Sequence, residues 1–258
     1  MKNVTTTKTS RNGMIGEVKD VFTTKKGILI ILAMITLAIS AYLNLITVKS
    51  FMIGDFGISF GTVLLSFLPM ITSEIMAECF GWKKGFIISS IAYTICLIFT
   101  LIMWGSTLLP GLVFVGNDLD FATDAYNLLF ASTPVVLIAS AVAYYIGIFF
   151  NCFIMGKLKE VAEKKGDNNW KLFGRFALST GVGQTLDNAI FFLIPMFFGL
   201  WDFTYVWQQT VAAFVIEILY EILFFAVTAY LVRKINNMPE GLSIVVNAET
   251  KEVEQVIS

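Results

Sequence analysis

Five acidic residues fall inside long apolar stretches of this sequence: Glu74, Glu78, Asp187, Glu217 and Glu221. Acids at membrane depth usually face the interior of a helical bundle and mark a functional site. No Lys or Arg lies deep enough in these stretches to pair with them, unless Arg175 or Lys49 reaches in from an end. Because an unpaired buried carboxylate is unstable, we expect either neutral acids or a ligand that donates hydrogen bonds to them.

Asp187 lies nearest the middle of its apolar stretch, about 12 residues in, or roughly 18 Å at 1.5 Å per residue. Thr180, Gln184, Asp187 and Phe191 recur at i, i+4, i+7 and i+11, so they share one helix face. An amide and a carboxylate beside an aromatic ring predict a binding surface for a planar ligand. The alternative is a hydrogen-bonded stripe that only holds helices together.

Two pairs of acids stand one helical turn apart, Glu217 with Glu221 and Glu74 with Glu78. Like charges at i, i+4 repel, so we expect at least one member of the Glu217 pair to be protonated. Glu78 is close to two lysines at the predicted cytoplasmic edge, where an interfacial ion pair is an equally good interpretation. Three roles compete for Arg175: a topology charge, a side chain that reaches to lipid headgroups, or a partner of Glu78, since both lie at helix ends on the same side.

The composition excludes several kinds of function. Hydrophobic residues make up 57% of 258 positions and charged residues 14%, whereas soluble domains carry about 25% charged residues. The chain has no His, and Cys79, Cys96 and Cys152 show no metal-binding spacing. We therefore expect no catalytic residues, no metal, no cofactor and no enzymatic activity. The net charge of −1 gives no indication of a nucleic-acid partner.

The apolar stretches predict an all-α membrane protein, because about 20 apolar residues are needed to cross roughly 30 Å of hydrocarbon. Residues 1–27 would form a cytoplasmic polar leader, residues 28–234 a six-helix transmembrane domain, and residues 235–258 a cytoplasmic tail. The first apolar stretch is too long for a cleaved signal sequence, so we expect it to be retained. The predicted spans are Ile28–Val48, Ile58–Cys79, Phe86–Leu108, Leu128–Phe153, Phe176–Leu200 and Tyr205–Val232.

The basic residues predict the orientation of these six helices. Every Lys and Arg except Lys49 falls on one side if the helices alternate in direction. The opposite loop from Leu109 to Asn127 contains acids and no base. Since Lys and Arg accumulate in cytoplasmic loops, both termini are predicted to be cytoplasmic.

Four segments of the chain resemble motifs of one family of membrane transporters. Together they resemble the queuosine precursor transporter family, once called putative vitamin uptake transporters, over roughly residues 40 to 230. Glu74 stands where that family usually has Asp, and Glu217 stands about where some members carry Lys. The four segments are Pro69–Gly81 (PMITSEIMAECFG), Asn44–Lys49 (NLITVK), Asn151–Lys159 (NCFIMGKLK) and Arg175–Phe191, with Arg175, Ser179, Thr180, Gln184 and Asp187.

The resemblance implies uptake of a 7-deazaguanine base across the cytoplasmic membrane of a prokaryote, for use in tRNA modification. The partners would be a small nucleobase and the lipid bilayer, and the sequence leaves homo-oligomerisation open. A carboxylate can accept the N1–H and the exocyclic amine of such a base together, while Phe191, Phe192 or Trp207 stacks on its plane. The expected substrate-binding residues are Asp187, Gln184, Glu74, Glu78, Thr180, Asn44, Phe191 and Glu217.

Three other functions compete with this interpretation. The substrate-binding subunit of an energy-coupling vitamin transporter also has about six helices, but it needs a partner ATPase, and no phosphate-binding loop occurs in this chain. An intramembrane aspartyl protease is disfavoured because Gln-Thr-Leu precedes Asp187 and no Gly-x-Gly-Asp occurs. A purely structural subunit has no use for five costly acids. Proton coupling, the oligomeric state and the preferred precursor stay open.

Overall fold

The structure is a computed structural model and is predominantly helical. Its longer helices are α1 Lys25–Ile46, α2 Phe67–Phe80, α3 Trp82–Ser106, α4 Leu119–Phe130, α5 Pro134–Lys165, α6 Asn169–Phe197 and α7 Phe203–Asn236. Two antiparallel hairpins accompany them, β1 Ser50–Ile53 with β2 Phe56–Ser59 and β3 Leu242–Val246 with β4 Val253–Ile257. The structure describes residues 20–46, 50–54, 56–59, 67–109, 119–130, 134–240, 242–246 and 253–257.

The chain divides into two compact units. The first comprises Met1–Ile31 and Arg233–Ser258, and the second comprises Leu32–Val232. In the first unit the backbone N–H of Lys25 donates to the carbonyl of Pro239 over 2.9 Å, and its Nζ pairs with Glu240 over 2.8 Å. All of the membrane acids lie in the second unit.

Local sequence signals set where the helices begin and end. Asn168 precedes α6 with extended backbone angles, and its side chain accepts the N–H of Lys171 over 2.8 Å, as an N-cap should. Gly81 separates α2 from α3 with a φ of 94°, a conformation that favours glycine. Pro134 opens α5 at the position where a missing N–H costs least.

Helices α5 and α6 pack at very short range through two glycines. A Cβ added at Gly147 would lie 2.9 Å from the carbonyl oxygen of Gly183 and 2.7 Å from the Cβ of Asp187. A Cβ added at Gly183 would likewise lie 2.9 Å from the Gly147 oxygen and 2.7 Å from the Cβ of Asn151. Small residues let the backbones of membrane helices approach this closely. The contact therefore brings Asn151 and Asp187 into the α5–α6 interface.

Helix α2 is almost wholly buried and contacts both α1 and α7. The hydroxyls of Thr36 in α1 and Thr72 in α2 are 2.8 Å apart. The ring of Phe67 stacks on Tyr220 and Phe224 of α7, at centroid distances of 4.1 and 5.1 Å. These contacts place α2, which carries Glu74, inside the second unit.

Four helices in the described part of the chain are long and apolar enough to cross a membrane: α1, α3, α5 and α7. Six spans and the orientation of the termini therefore stay predictions. Helix α6 is long, but Gln184, Asp187 and Asn188 interrupt its apolar character near the middle. Described α2 has 14 residues, about 21 Å, and residues 60–66 lie outside the described ranges.

Three predicted boundaries were wrong. Ile58 and Ser59 belong to strand β2 and not to a helix, since Gly54, at a φ of 61°, turns the chain into a hairpin. The predicted fourth span joined two helices, because Leu128 lies in α4, which ends at Phe130, and Pro134 starts α5. The loop predicted over residues 109–127 contains most of α4. The all-α class is confirmed, and two short hairpins accompany the helices.

Candidate functional site

Glu74 is the centre of a buried polar cluster between α2, α5 and α6. Its side chain is fully buried, and its Oε1 accepts hydrogen bonds from Asn151 Nδ2 at 2.9 Å, Ser179 Oγ at 2.7 Å and Thr180 Oγ1 at 2.6 Å. The second oxygen, Oε2, is buried and has no hydrogen-bond partner. The same holds for Oδ1 of Asn151. Three side chains thus surround Oε1 of the carboxyl group, while its other oxygen is unsatisfied; Ser179 Oγ is equally close to the carbonyl of Arg175, at 2.7 Å.

Glu221 of α7 lies across Thr180 from Glu74. Thr180 Oγ1 is 3.4 Å from Glu221 Oε2 but only 2.6 Å from Glu74 Oε1. Because a hydroxyl has one hydrogen to donate, the shorter contact is the stronger one. Oε1 of Glu221 is buried without a partner, and the two carboxyl groups are close enough to interact electrostatically.

A second pair of acids, Asp187 of α6 and Glu217 of α7, lies two turns of α6 beyond Thr180. The amide of Asn188 reaches both oxygens of Glu217, at 3.4 and 3.2 Å. Asp187 is half-buried and interacts electrostatically with Glu217 and also with Tyr144 of α5 and Tyr93 of α3. The rings of Tyr93 and Tyr144 stack with centroids 4.0 Å apart. Asp187 is therefore near enough to these two tyrosines and to Glu217 to interact with them electrostatically.

Gln184 lies on α6 between these two groups of acids. It is buried, and none of the hydrogen bonds among the described residues involves its side chain. Thr180 is one turn before it and Asn188 one turn after it, each directed to an acid of α7. The amide of Gln184, which can both donate and accept, thus keeps its full capacity for a ligand.

Arg175 and Glu78 form a separate buried ion pair near the start of α6. Nη2 of Arg175 donates to Glu78 Oε1 over 2.9 Å, which is one of the roles that the sequence allowed for Arg175. The guanidinium also donates hydrogen bonds to both carboxylate oxygens of Asp167, at 2.9 and 3.0 Å. This hydrogen bonding lowers the pKa of Asp167 below its usual range. Lys159 Nζ adds a contact to the backbone carbonyl of Glu78. Glu78 accordingly belongs to the Arg175 network and not to the cluster around Glu74.

Phe191, Phe192 or Trp207 was expected to stack on the plane of the base. Phe191 and Phe192 pack against each other and against Trp201, with centroid distances of 5.0 to 5.6 Å. Trp207 is 60% exposed, so of the three candidates it is the least suited to stack on a buried ligand. The side chain of Asn44 lies outside the described residues.

Sequence reasoning missed several contributors to these clusters. Asn151 and Ser179 stood in family-like motifs but were not assigned to the site, although each donates to Glu74. The positions of Asn151 and Ser179 in the sequence could not predict their contacts with Glu74, because the three residues lie on three different helices. Asp167 follows a run of lysines and reads as a surface acid. The Tyr93–Tyr144 pair could have been found only from the packing of α3 on α5.

Comparison with known proteins places this chain in a family. No curated protein and no solved structure matches the chain. A family model described as putative vitamin uptake transporter matches residues 59–232, a range that includes all five membrane acids, the α5–α6 glycine contact and Arg175. This protein therefore belongs to the putative vitamin uptake transporter family, whose members are multi-pass membrane proteins that carry small molecules.

Proposed function

We propose that this protein imports a 7-deazaguanine base, a queuosine precursor, across the cytoplasmic membrane of a prokaryote for tRNA modification. Two arguments support the proposal. The segments Pro69–Gly81 and Arg175–Phe191 resemble motifs of the queuosine precursor transporters, and they supply Glu74, Ser179 and Thr180 to one hydrogen-bonded cluster. The chemistry of that cluster also suits a ligand rich in hydrogen-bond donors.

The observation that carries the proposal is a set of buried acceptor oxygens without hydrogen-bond partners: Glu74 Oε2, Glu221 Oε1 and Asn151 Oδ1. Buried polar atoms are nearly always satisfied, by protein, water or ligand. Leaving one unsatisfied costs about 1–3 kcal/mol. A helix-packing stripe would pair these atoms with one another, whereas a transported ligand that carries N–H donors would satisfy them.

Asp187 and Gln184 are the proposed contacts for the flat edge of the base. A carboxylate can accept the N1–H and the exocyclic amine side by side, and Gln184 can pair with the remaining polar atoms. The rings of Tyr93 and Tyr144 lie near Asp187 and offer an aromatic wall. We assign this wall to the α3–α5 tyrosines in place of Trp207.

Uptake of labelled bases into cells that cannot synthesise 7-deazaguanines tests the proposal. Expression of the wild-type chain is expected to confer accumulation of at least one precursor from a panel of neutral and amine-bearing bases. Asp187→Asn keeps the size of the side chain but replaces one acceptor oxygen with a donor, so uptake should fall at least about tenfold, equivalent to about 1.4 kcal/mol. Glu74→Gln should act in the same direction.

The matched control is Glu160→Gln, which makes the same change in an exposed acid of α5 that is 50% accessible. It should transport at the wild-type rate. Well-expressed wild-type protein that accumulates none of the bases would refute the proposed function. Asp187→Asn protein with wild-type uptake would remove Asp187 from the list of ligand contacts.

A further inference from the structure

We propose that Glu74, Glu221 and Asn151 together bind a primary ammonium group, so that the transporter prefers a 7-deazaguanine whose 7-substituent carries an amine. This inference rests on the proposed function and narrows it to a substrate class. Thr180, Gln184 and Asp187 form a polar stripe on one face of α6. The proposed ammonium site lies at the Thr180 end of this stripe, and Asp187 lies at the other end.

The first argument is a match in number between donors and acceptors. An ammonium group has three N–H donors and no acceptor. The three side chains each present one buried oxygen without a partner: Glu74 Oε2, Glu221 Oε1 and Asn151 Oδ1. The Asn151 amide already donates to Glu74 through Nδ2, which turns its oxygen into an available acceptor of the same cluster. The unsatisfied positions thus all require donors.

The second argument is charge. Glu74 and Glu221 interact electrostatically with Thr180 between them, and none of the ion pairs among the described residues involves either acid. The nearest cation along α6 is Arg175, whose Nη atoms are bound to Glu78 and Asp167. A cationic ligand would relieve the repulsion between the two acids and also satisfy their free oxygens.

The third argument is the length of the polar stripe. Thr180 and Asp187 are seven residues apart on α6, about 10 Å along the helix axis. Gln184 lies between them with its side chain buried. A flat bicyclic base with a one-carbon amine arm has its guanine edge at one end and the amine at the other. Such a ligand extends from Asp187 to the Glu74–Glu221 pair, with Gln184 beside its middle.

A shared proton or a sodium ion would occupy the same oxygens. Either would couple transport to an ion gradient, and neither would distinguish a substrate with an amine from one without. Substrate preference therefore separates these occupants from an ammonium group on the substrate.

The test compares uptake of two labelled bases that share the 7-deazaguanine ring. One carries a 7-aminomethyl group and the other a neutral 7-cyano group. For the wild-type chain we expect at least tenfold higher uptake of the amine, measured at equal low concentration. Glu221→Gln should lower uptake of the amine about tenfold more than it lowers uptake of the nitrile. Glu160→Gln, in an exposed acid, should leave the ratio of the two rates unchanged.

The wild-type ratio decides the question even if the Glu221 variant is not produced. Equal uptake of both bases, or a preference for the nitrile, overturns the ammonium site and leaves the proposed function standing. Equal uptake that disappears when sodium is replaced by choline assigns the acids to a coupling ion and also overturns the inference. Uptake of neither base by well-expressed protein refutes the proposed function itself.

Discussion

Arg175 Nη2 donates to Glu78 Oε1 over 2.9 Å, and the two side chains are only 3% and 5% exposed. The contact joins the end of α2 to the beginning of α6. The sequence allowed three roles for Arg175: a topology charge, a side chain that reaches to lipid headgroups, or a partner of Glu78. Burial at this level excludes the headgroup role and confirms the pair. Asp167 completes the arrangement from the short connection between α5 and α6.

Removal of either partner of this pair should impair the transporter. Arg175→Ala leaves the buried Glu78 carboxyl group without its cation, at a cost of about 3–5 kcal/mol. Glu78→Ala should cost less, because Arg175 keeps its two hydrogen bonds to Asp167. We expect lower thermal stability in detergent and lower uptake for each single variant. The double variant should be no worse than either single one, because it removes both charges. The measurement is a double-mutant cycle on unfolding temperature and uptake rate.

Lys157→Ala is the matched control for this cycle. Lys157 pairs with Glu160 on the surface of α5, where both side chains are about half exposed. Such pairs contribute about 0–1 kcal/mol, so its effect should be small. Additive losses for Arg175 and Glu78 would show that they act separately. Full activity of Arg175→Lys would favour a simple topology charge.

Lowering the pH should weaken the contact between Arg175 and Asp167. Hydrogen bonding from Arg175 lowers the pKa of Asp167, so the folded state favours the charged carboxylate. The contribution to stability is therefore complete above the unfolded-state pKa of about 3.9 and is lost as the pH falls through the folded-state pKa. Its size should stay below about 1 kcal/mol, since the Asp167 side chain is 45% exposed.

Thermal unfolding of Asp167→Asn measures this effect. The variant should be slightly less stable than the wild type at pH 7, and the difference should vanish at low pH. A difference that persists below the pKa of Asp167, or grows as the pH falls, would show that another property of the side chain is responsible. Glu163→Gln, at an exposed position of α5, serves as the control.

The sequence predicted the helices that carry the five acids, because apolar stretches are a local signal. The shared face of Thr180 and Gln184 on α6 followed from helix periodicity alone, and both are buried. The contacts between helices could not be predicted from periodicity, since they join residues that are far apart in the sequence. Asn151 and Glu74, for example, are 77 positions apart. Trp207 illustrates the same limit: its side chain type suits stacking, but only packing decides that it faces outward.

The topology of the chain stays open to a direct test. We expect both termini in the cytoplasm and the connection around Asp118, which is outside the described residues, on the other side of the membrane. Fusions of a reporter that is active only outside the cytoplasm should give a signal at Asp118 and none at Lys26 or Asn236. A signal from either terminus would contradict the predicted orientation and the six-span count with it.

The glycine contact between α5 and α6 provides the sharpest test of the packing. Gly147→Ala would place a methyl group 2.7 Å from the Cβ of Asp187 and 2.9 Å from the carbonyl oxygen of Gly183, so the helices must separate. Overpacking of this kind typically costs about 1–3 kcal/mol. The same displacement would shift Asp187, and uptake should therefore fall together with stability. Unfolding temperature and uptake rate of the purified and reconstituted protein are the measurements.

Gly174→Ala is the control, because it makes the same change in α6 at a position where a Cβ meets nothing within 4 Å. There the better helix propensity of Ala should stabilise the protein by up to about 1 kcal/mol. The two substitutions are thus expected to change stability in opposite directions. Equal unfolding temperatures for the two variants would show that α5 and α6 do not approach as closely as the Gly147–Gly183 contact requires.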